Sequence, residues 1–192
     1  MAEVKRCGWV TDDPIYIQYH DNEWGVPVFD DQQLFEMLTL EGAQAGLSWI
    51  TILKRRENYK QAFDQFIIEK VANYSEEKIQ ALLQNEKIIR NEKKIRSAVT
   101  NAKRIIDIQE EYGSFSNFLW SYVNHQPIIN HWSTLEEVPA NTELSKTISK
   151  DLKKRSFAFI GPTIIYSFMQ AIGMVNDHLI TCFCHPNQKG FN

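Results

Sequence analysis

Glycine and proline are scarce in this chain, with 8 and 6 among 192 residues. That composition excludes collagen-like repeats and long flexible linkers. No internal repeat or low-complexity tract occurs either, which removes solenoids and biased segments. Cysteine is almost missing: Cys7, Cys182 and Cys184 are the whole complement. So small and odd a number argues against a disulfide framework, and metal binding is the better first reading. Residues 1–10 hold no apolar run that could act as a signal peptide, so the cytoplasm is the expected location. The one long uncharged segment, residues 157–175, is broken by Gly161, Pro162, Gln170 and Gly173. A membrane span needs about 20 apolar residues. A buried helix starting near Pro162 is expected instead, because proline suits the first turn of a helix.

An excess of positive charge is also missing. The net charge is −3, which counts against a nucleic-acid binder when taken globally. The distribution says more than the sum. Residues 86–104 contain seven basic residues (Lys87, Arg90, Lys93, Lys94, Arg96, Lys103, Arg104) against Glu86 and Glu92, a local net of +5. Residues 146–155 carry five basic residues and one acidic, a local net of +4. From charge alone, both stretches also read as solvated helix faces.

What remains is helical periodicity almost throughout. Asp30 or Asp31 can cap a helix to about Ala45, with Leu34, Met37, Leu38 and Ala45 on one stripe. Ser48 can cap a helix through Trp49, Ile50 and Leu53 towards Phe63, and Ser75 a short one through Ile79, Leu82 and Leu83. A long helix is expected over about 91–112, with Ile95, Val99, Ala102 and Ile106 in register and Gly113 as its left-handed C-cap. Further helices are expected over 115–123, 142–155 and 162–174. No alternating run demands a strand, so the expected class is all-α.

Glu41 falls on the stripe of Leu34, Met37, Leu38 and Ala45. Carboxylates are almost never buried unless paired or functional. The bland alternatives are a helix already ended near Leu40, or Glu41 as a cap for the following turn. Two glycines, Gln44 and Trp49 follow closely, and Tyr16 and Tyr19 would share a face if their stretch is helical. A carboxylate among aromatic rings can make a flat pocket for a planar cation.

Cys7 and His20 lie early, and His178, Cys182 and Cys184 late, in the chain. Three residues separate His178 from Cys182, a spacing that recurs in zinc sites. Four Cys₂His₂ ligands would fill a tetrahedron and leave no position for water, so the site would be structural. Cys184 and His185 are rival ligands, a Cys7–Cys182 disulfide is a less suitable pairing in this compartment, and unrelated thiols and imidazoles are the bland alternative.

Long strings now identify a family. They are Cys7-Gly8-Trp9, then Tyr16-Ile17-Gln18-Tyr19-His20-Asp21-Asn22-Glu23-Trp24-Gly25-Val26-Pro27, and Glu41-Gly42-Ala43-Gln44-Ala45-Gly46-Leu47-Ser48-Trp49-Ile50. Later come Trp120-Ser121-Tyr122-Val123-Asn124-His125-Gln126-Pro127 and Gly173-Met174-Val175-Asn176-Asp177-His178. From Cys7 to Pro186 the chain resembles the bacterial 3-methyladenine DNA glycosylase I family. The resemblance implies a helix-hairpin-helix glycosylase, all-α, forming a single unit over 1–192 with the hairpin segment at about 75–112. It implies a structural Zn²⁺ on Cys7, His20, His178 and Cys182, joining the N- and C-terminal segments. It implies a base pocket of Tyr16, Tyr19 and Trp49 bordered by Trp9 and Trp24, with Glu41 as the catalytic carboxylate. Gly46 and Leu47 match the element that plugs the duplex where a base has been extracted.

Residues 88–94 resemble the hairpin that grips DNA phosphates, which gives the +5 stretch a role. Ile88-Ile89-Arg90-Asn91-Glu92 lacks the glycines usual there, so contacts would lean on Arg90, Lys93 and Lys94, with Lys87 available. The implied activity is excision of 3-methyladenine from double-stranded alkylated DNA by a monomer with no strand-cleaving step, the free base being a product. The rival readings are a non-catalytic damage-binding protein, a zinc-dependent hydrolase and a structural scaffold.

Overall fold

Residues 34–43 are all buried, which places their helix at the centre of the molecule. The computed structural model describes residues 4–188; residues 1–3 and 189–192 of the expected 1–192 unit lie outside them. Ten α-helices follow one another among the described residues: α1 (Pro14–Asn22), α2 (Asp31–Gln44), α3 (Trp49–Leu53), α4 (Arg56–Ala62), α5 (Ile68–Ala72), α6 (Glu76–Gln84), α7 (Glu92–Tyr112), α8 (Phe115–Ser121), α9 (Glu143–Lys154) and α10 (Pro162–Ala171). Around α2 pack α3, α7, α8 and α10. No helix among the described residues is long and apolar enough to cross a membrane.

Local chemistry explains most helix starts. Asp13, Asp30, Ser75, Asn91 and Thr142 each accept a backbone N–H from the first turn of the helix they precede, satisfying donors that have no partner within the helix. Asp13 followed by Pro14 is the start signal of α1. Asp31 reaches across the fold, where its carboxylate accepts the amides of Phe115 and Ser116 at 2.9 and 2.8 Å. That acid ties the beginning of α2 to the beginning of α8.

Several expected boundaries shift. The helix expected from Trp49 towards Phe63 is two, α3 and α4, with a break after Leu53. The helices expected to reach Val123 and Met174 end at Ser121 and Ala171. On α7 the inward stripe runs through Ile95, Ala98, Val99, Ala102, Ile105 and Ile108, and Ile106 is only half-buried. A pair of short parallel strands, β1 (Ile128–Ile129) and β2 (Val175–Asn176), also appears, with Ile128 opposite Val175 and Ile129 opposite Asn176. Two residues are too short for alternation to be read from sequence.

The chain after α10 turns at Gly173, whose φ is +67°, and residues 25–28 pass directly over it. The amides of Gly25 and Val28 donate to Gln170 O and Ile172 O, both at 3.0 Å. A Cβ at Gly173 would stand 2.2 Å from the carbonyl carbon of Val26 and 2.4 Å from Pro27 N. Backbone on both sides leaves nothing to rotate away. Gly173→Ala should therefore cost about 3 kcal/mol or more. Chemical denaturation measures it; a loss below about 1 kcal/mol would mean that the 25–28 strap lifts easily.

Candidate active site

Helix α2 carries two buried glutamates with opposite surroundings. Glu36 is bound by Arg56, whose Nε lies 2.6 Å from Oε1, and Lys60 stands 3.6 Å away. Glu41 has no cation and no hydrogen-bond donor on its carboxylate among the described residues, although it is only 5% exposed. Burial alone pushes its pKa up from the ordinary carboxylate range to about 8, because a charge taken out of water without a partner is costly. The helix does not end near Leu40, so Glu41 is neither in a loop nor a cap.

Glu41 faces a cavity of about 210 Å³ lined by Trp9, Tyr16, Tyr19, Trp24 and Trp49 among others. Helix α1 supplies the two tyrosines from one face and α3 supplies Trp49 at its first residue. Tyr19 and Trp49 have ring centroids 5.5 Å apart, and Trp9 meets Tyr16 and Trp24 edge-on at 5.1 and 5.0 Å. Burial first, and then the Glu41 carboxylate, hold the Tyr16 and Tyr19 phenols above their usual range, so both hydroxyls are hydrogen-bond donors at neutral pH. The indole Nε1 of Trp49 is buried without a hydrogen-bond partner.

Sequence reasoning missed part of this wall. Leu135, Val138, Ser167, Gln170 and Asp177 also line the cavity, together with Gln44, which the sequence had set beside Glu41. Asp177 is fully buried and accepts four donors: Asn130 and Trp132 on Oδ1 at 2.7 and 2.8 Å, Tyr166 and Gln170 on Oδ2 at 2.6 and 2.8 Å. A polar residue such as Gln170 inside an otherwise apolar helix was the available signal. Asp177 offered none outside its motif.

Cys7, His20, His178 and Cys182 come together, all buried, with ligand atoms within 4.8 Å of one another, and this group can hold a metal ion. Cys7 Sγ and Cys182 Sγ lie 3.6 and 3.5 Å from His178 Nδ1, and Cys182 Sγ lies 3.4 Å from His20 Nε2. Each outer ring nitrogen is engaged. His20 Nδ1 meets Asp21 Oδ1 at 2.7 Å, with Arg6 on the same carboxylate, and His178 Nε2 meets Trp24 O at 2.9 Å. These outer contacts fix which nitrogen turns inward. The rival ligands lie outside this group of four: Cys184 Sγ contacts the carbonyls of His20 and Asp21 and falls in a second group with the His20 and Asp21 side chains, and His185 Nε2 meets Asn130 O at 3.0 Å. Trp9 and Trp24 pack against both this cluster and the main core, so the group and the cavity share a wall.

At the end of α2, Gly46 takes φ +81° and Leu47 is 40% exposed. The loop 85–91 between α6 and α7 presents Lys87 and Arg90, and Lys93 follows in the first turn of α7; all three are exposed. Lys94 does not join them. Its ammonium turns inward and donates to Ala43 O and Ala45 O at 2.8 and 2.6 Å. The Ile89 amide donates to Tyr59 OH at 3.2 Å.

Known proteins resemble this chain along nearly its whole length. The methyladenine glycosylase family profile matches residues 9–185. DNA-3-methyladenine glycosylase 1 of Escherichia coli (strain K12) is 53% identical over 97% of this chain and 100% of its own. DNA-3-methyladenine glycosylase of Haemophilus influenzae is 52% identical over 93% of this chain and 97% of its own. A solved 3-methyladenine DNA glycosylase I from Staphylococcus aureus, reported for its recognition of 3-methyladenine, superposes with a TM-score of 0.92 at 39% identity, over 96% of this chain and 98% of that one. By the profile match and by the length and level of these identities, the chain belongs to the methyladenine glycosylase family.

Proposed function

We propose that this chain excises 3-methyladenine from alkylated double-stranded DNA, in base excision repair, by hydrolysing the N-glycosidic bond. The observation that carries the reading is Glu41, a buried carboxylate without a cation inside a cage of five aromatic rings. A base methylated at N3 is a planar cation, which such a cage attracts through ring faces and carboxylate together. The base must leave the stack to reach the cavity. Trp49 stacks on it, Tyr16 hydrogen-bonds it and Tyr19 closes the wall, while Trp9 and Trp24 border the opening. Neutral adenine brings no charge to offset an ionised Glu41, so the pocket discriminates by electrostatics as well as by shape.

The methylated base is already a good leaving group. When the bond to the sugar breaks, its electron pair moves onto the ring and neutralises it. Water attacks the sugar carbon, loses a proton, and leaves an abasic site. No lysine is among the cavity's lining residues, which favours a monofunctional enzyme without lyase chemistry. In the DNA complex Leu47, on the Gly46 turn, fills the gap in the duplex. Helices α6 and α7 form the helix-hairpin-helix grip, with Lys87, Arg90 and Lys93 towards the phosphates. The described helices serve as one glycosylase unit that acts as a monomer, and a cytoplasmic location agrees with three buried cysteines that form no disulfide among the described residues.

The Cys/His group suits Zn²⁺. Tetrahedral Zn–S and Zn–N bonds of usual length place neighbouring S and N atoms roughly 3.6 Å apart, close to the 3.4–3.6 Å found. Cys7, His20, His178 and Cys182 would hold it with no position left for water. The metal would supply structure and no chemistry.

Incubation with methylated DNA, followed by chromatography of the freed bases, tests the function. Release of 3-methyladenine, with 7-methylguanine retained, is the expected result. No release from DNA that the protein binds would leave a damage-binding protein in its place.

A further inference from the structure

The Ala45–Gly46–Leu47 turn has little to hold it. A Cβ at Gly46 would meet no atom within 4 Å, and Leu47 is 40% exposed. Helix α2 ends there with its last carbonyls unpaired by the helix itself. Lys94 reaches them from the third residue of α7, donating to Ala43 O at 2.8 Å and Ala45 O at 2.6 Å. No other side chain among the described residues donates to these carbonyls. A cation over a helix C-terminus is also favoured by the helix dipole. The ammonium is partly withdrawn from water, and burial lowers its pKa. Lys93, its chain neighbour, faces solvent, while Lys94 is half-buried.

We infer that Lys94 is a positioning residue, which locks the Leu47 turn to the first turn of α7 and so makes the phosphate grip and the duplex plug one rigid body. The inference rests on reading Leu47 as the plug. Phosphates bound beside Arg90 and Lys93 then fix where Leu47 enters the duplex, through the two hydrogen bonds that Lys94 makes to the turn. Glu41, one helical turn before Ala45 on α2, is held at the matching depth.

Three variants test it. Lys94→Met keeps the stem and removes the donors, Lys94→Arg restores them, and Leu47→Ala removes the plug; Lys94→Gln substitutes for the methionine variant if that protein does not fold. Single-turnover release of 3-methyladenine from duplex DNA should fall about tenfold in Lys94→Met and recover in Lys94→Arg. Combined with Leu47→Ala, Lys94→Met should slow release little further, because both act through one element. The salt dependence of binding to undamaged duplex should not change. A slope reduced by about 0.9 would make Lys94 a phosphate contact, and losses that multiply would separate it from the plug; either result overturns the assignment. Unimpaired release by Leu47→Ala alone removes the plug reading itself, an outcome distinct from the failure of Lys94.

Discussion

Glu41→Gln should slow release of 3-methyladenine by about 100-fold or more, the usual loss when a preorganised electrostatic partner of the transition state is removed, while making the free protein more stable. The stability half follows from linkage. The folded carboxyl titrates at about 8, the unfolded one near the ordinary glutamate value of about 4.3. Between those values the folded state holds a proton that the unfolded state has lost, so stability falls as pH rises. The penalty begins near pH 4.5 and is complete above pH 8, reaching about 3.5 kcal/mol at pH 7. Glutamine carries no such titration. Melting temperatures of the two proteins should converge near pH 4.5 and separate towards pH 8, with the variant higher. Parallel pH curves, or wild-type release by the variant, would remove Glu41 from the mechanism. The stability given up at Glu41 is then the requirement for binding a cation there, in keeping with the usual trade between stability and function.

Loss of one member of the Cys/His group should have the second large effect. Cys7→Ser would leave three donors and a buried hydroxyl where a thiolate stood. Structural metal sites contribute folding free energy directly, and a drop of about 10 °C in melting temperature is expected from a loss of 3–4 kcal/mol in a chain of this size. Elemental analysis of freshly purified protein should give one zinc per chain, and a strong chelator should reproduce the drop. Protein without zinc, melting where Cys7→Ser melts, would show that the four side chains pack without a metal. The damage should reach the pocket as well, because the His178 ring stands 4.7 Å from the ring of Trp24, which lines the cavity.

Much of this was legible in the residues. Caps at Asp30 and Ser75 marked helix starts because an unpaired N–H needs a nearby oxygen, and that is a local matter; Ser48 stands at the start of α3 without a side-chain cap bond. The Glu41 stripe was legible for the opposite reason, since a carboxylate among leucines breaks the pattern around it. The pattern understated the case, for α2 is buried on every side and the narrow stripe was only part of its inner surface. The 25–28 strap over Gly173 depends on distant backbone, which no local pattern reports. The same holds for Lys94. Its sequence neighbours made it one more cation in a basic stretch, and only the end of α2, some fifty residues earlier, gives it two carbonyls. Asp177 sits beside His178 in sequence, yet its four donors come from two other segments, residues 130–132 and helix α10.

The order of synthesis gives the Cys/His cluster a further meaning. Cys7 leaves the ribosome 171 residues before His178, and His20 leaves 162 before Cys182. Helix α7 and its neighbours α5, α6 and α8 find one another across short loops and can settle while translation continues. Helix α1, which carries both pocket tyrosines, reaches its final anchorage only after the late cysteine and histidine have emerged. The base pocket is therefore among the last parts of the molecule to close. A nascent or truncated chain that lacks the late cysteine and histidine would hold its middle helices before it has a closed base pocket.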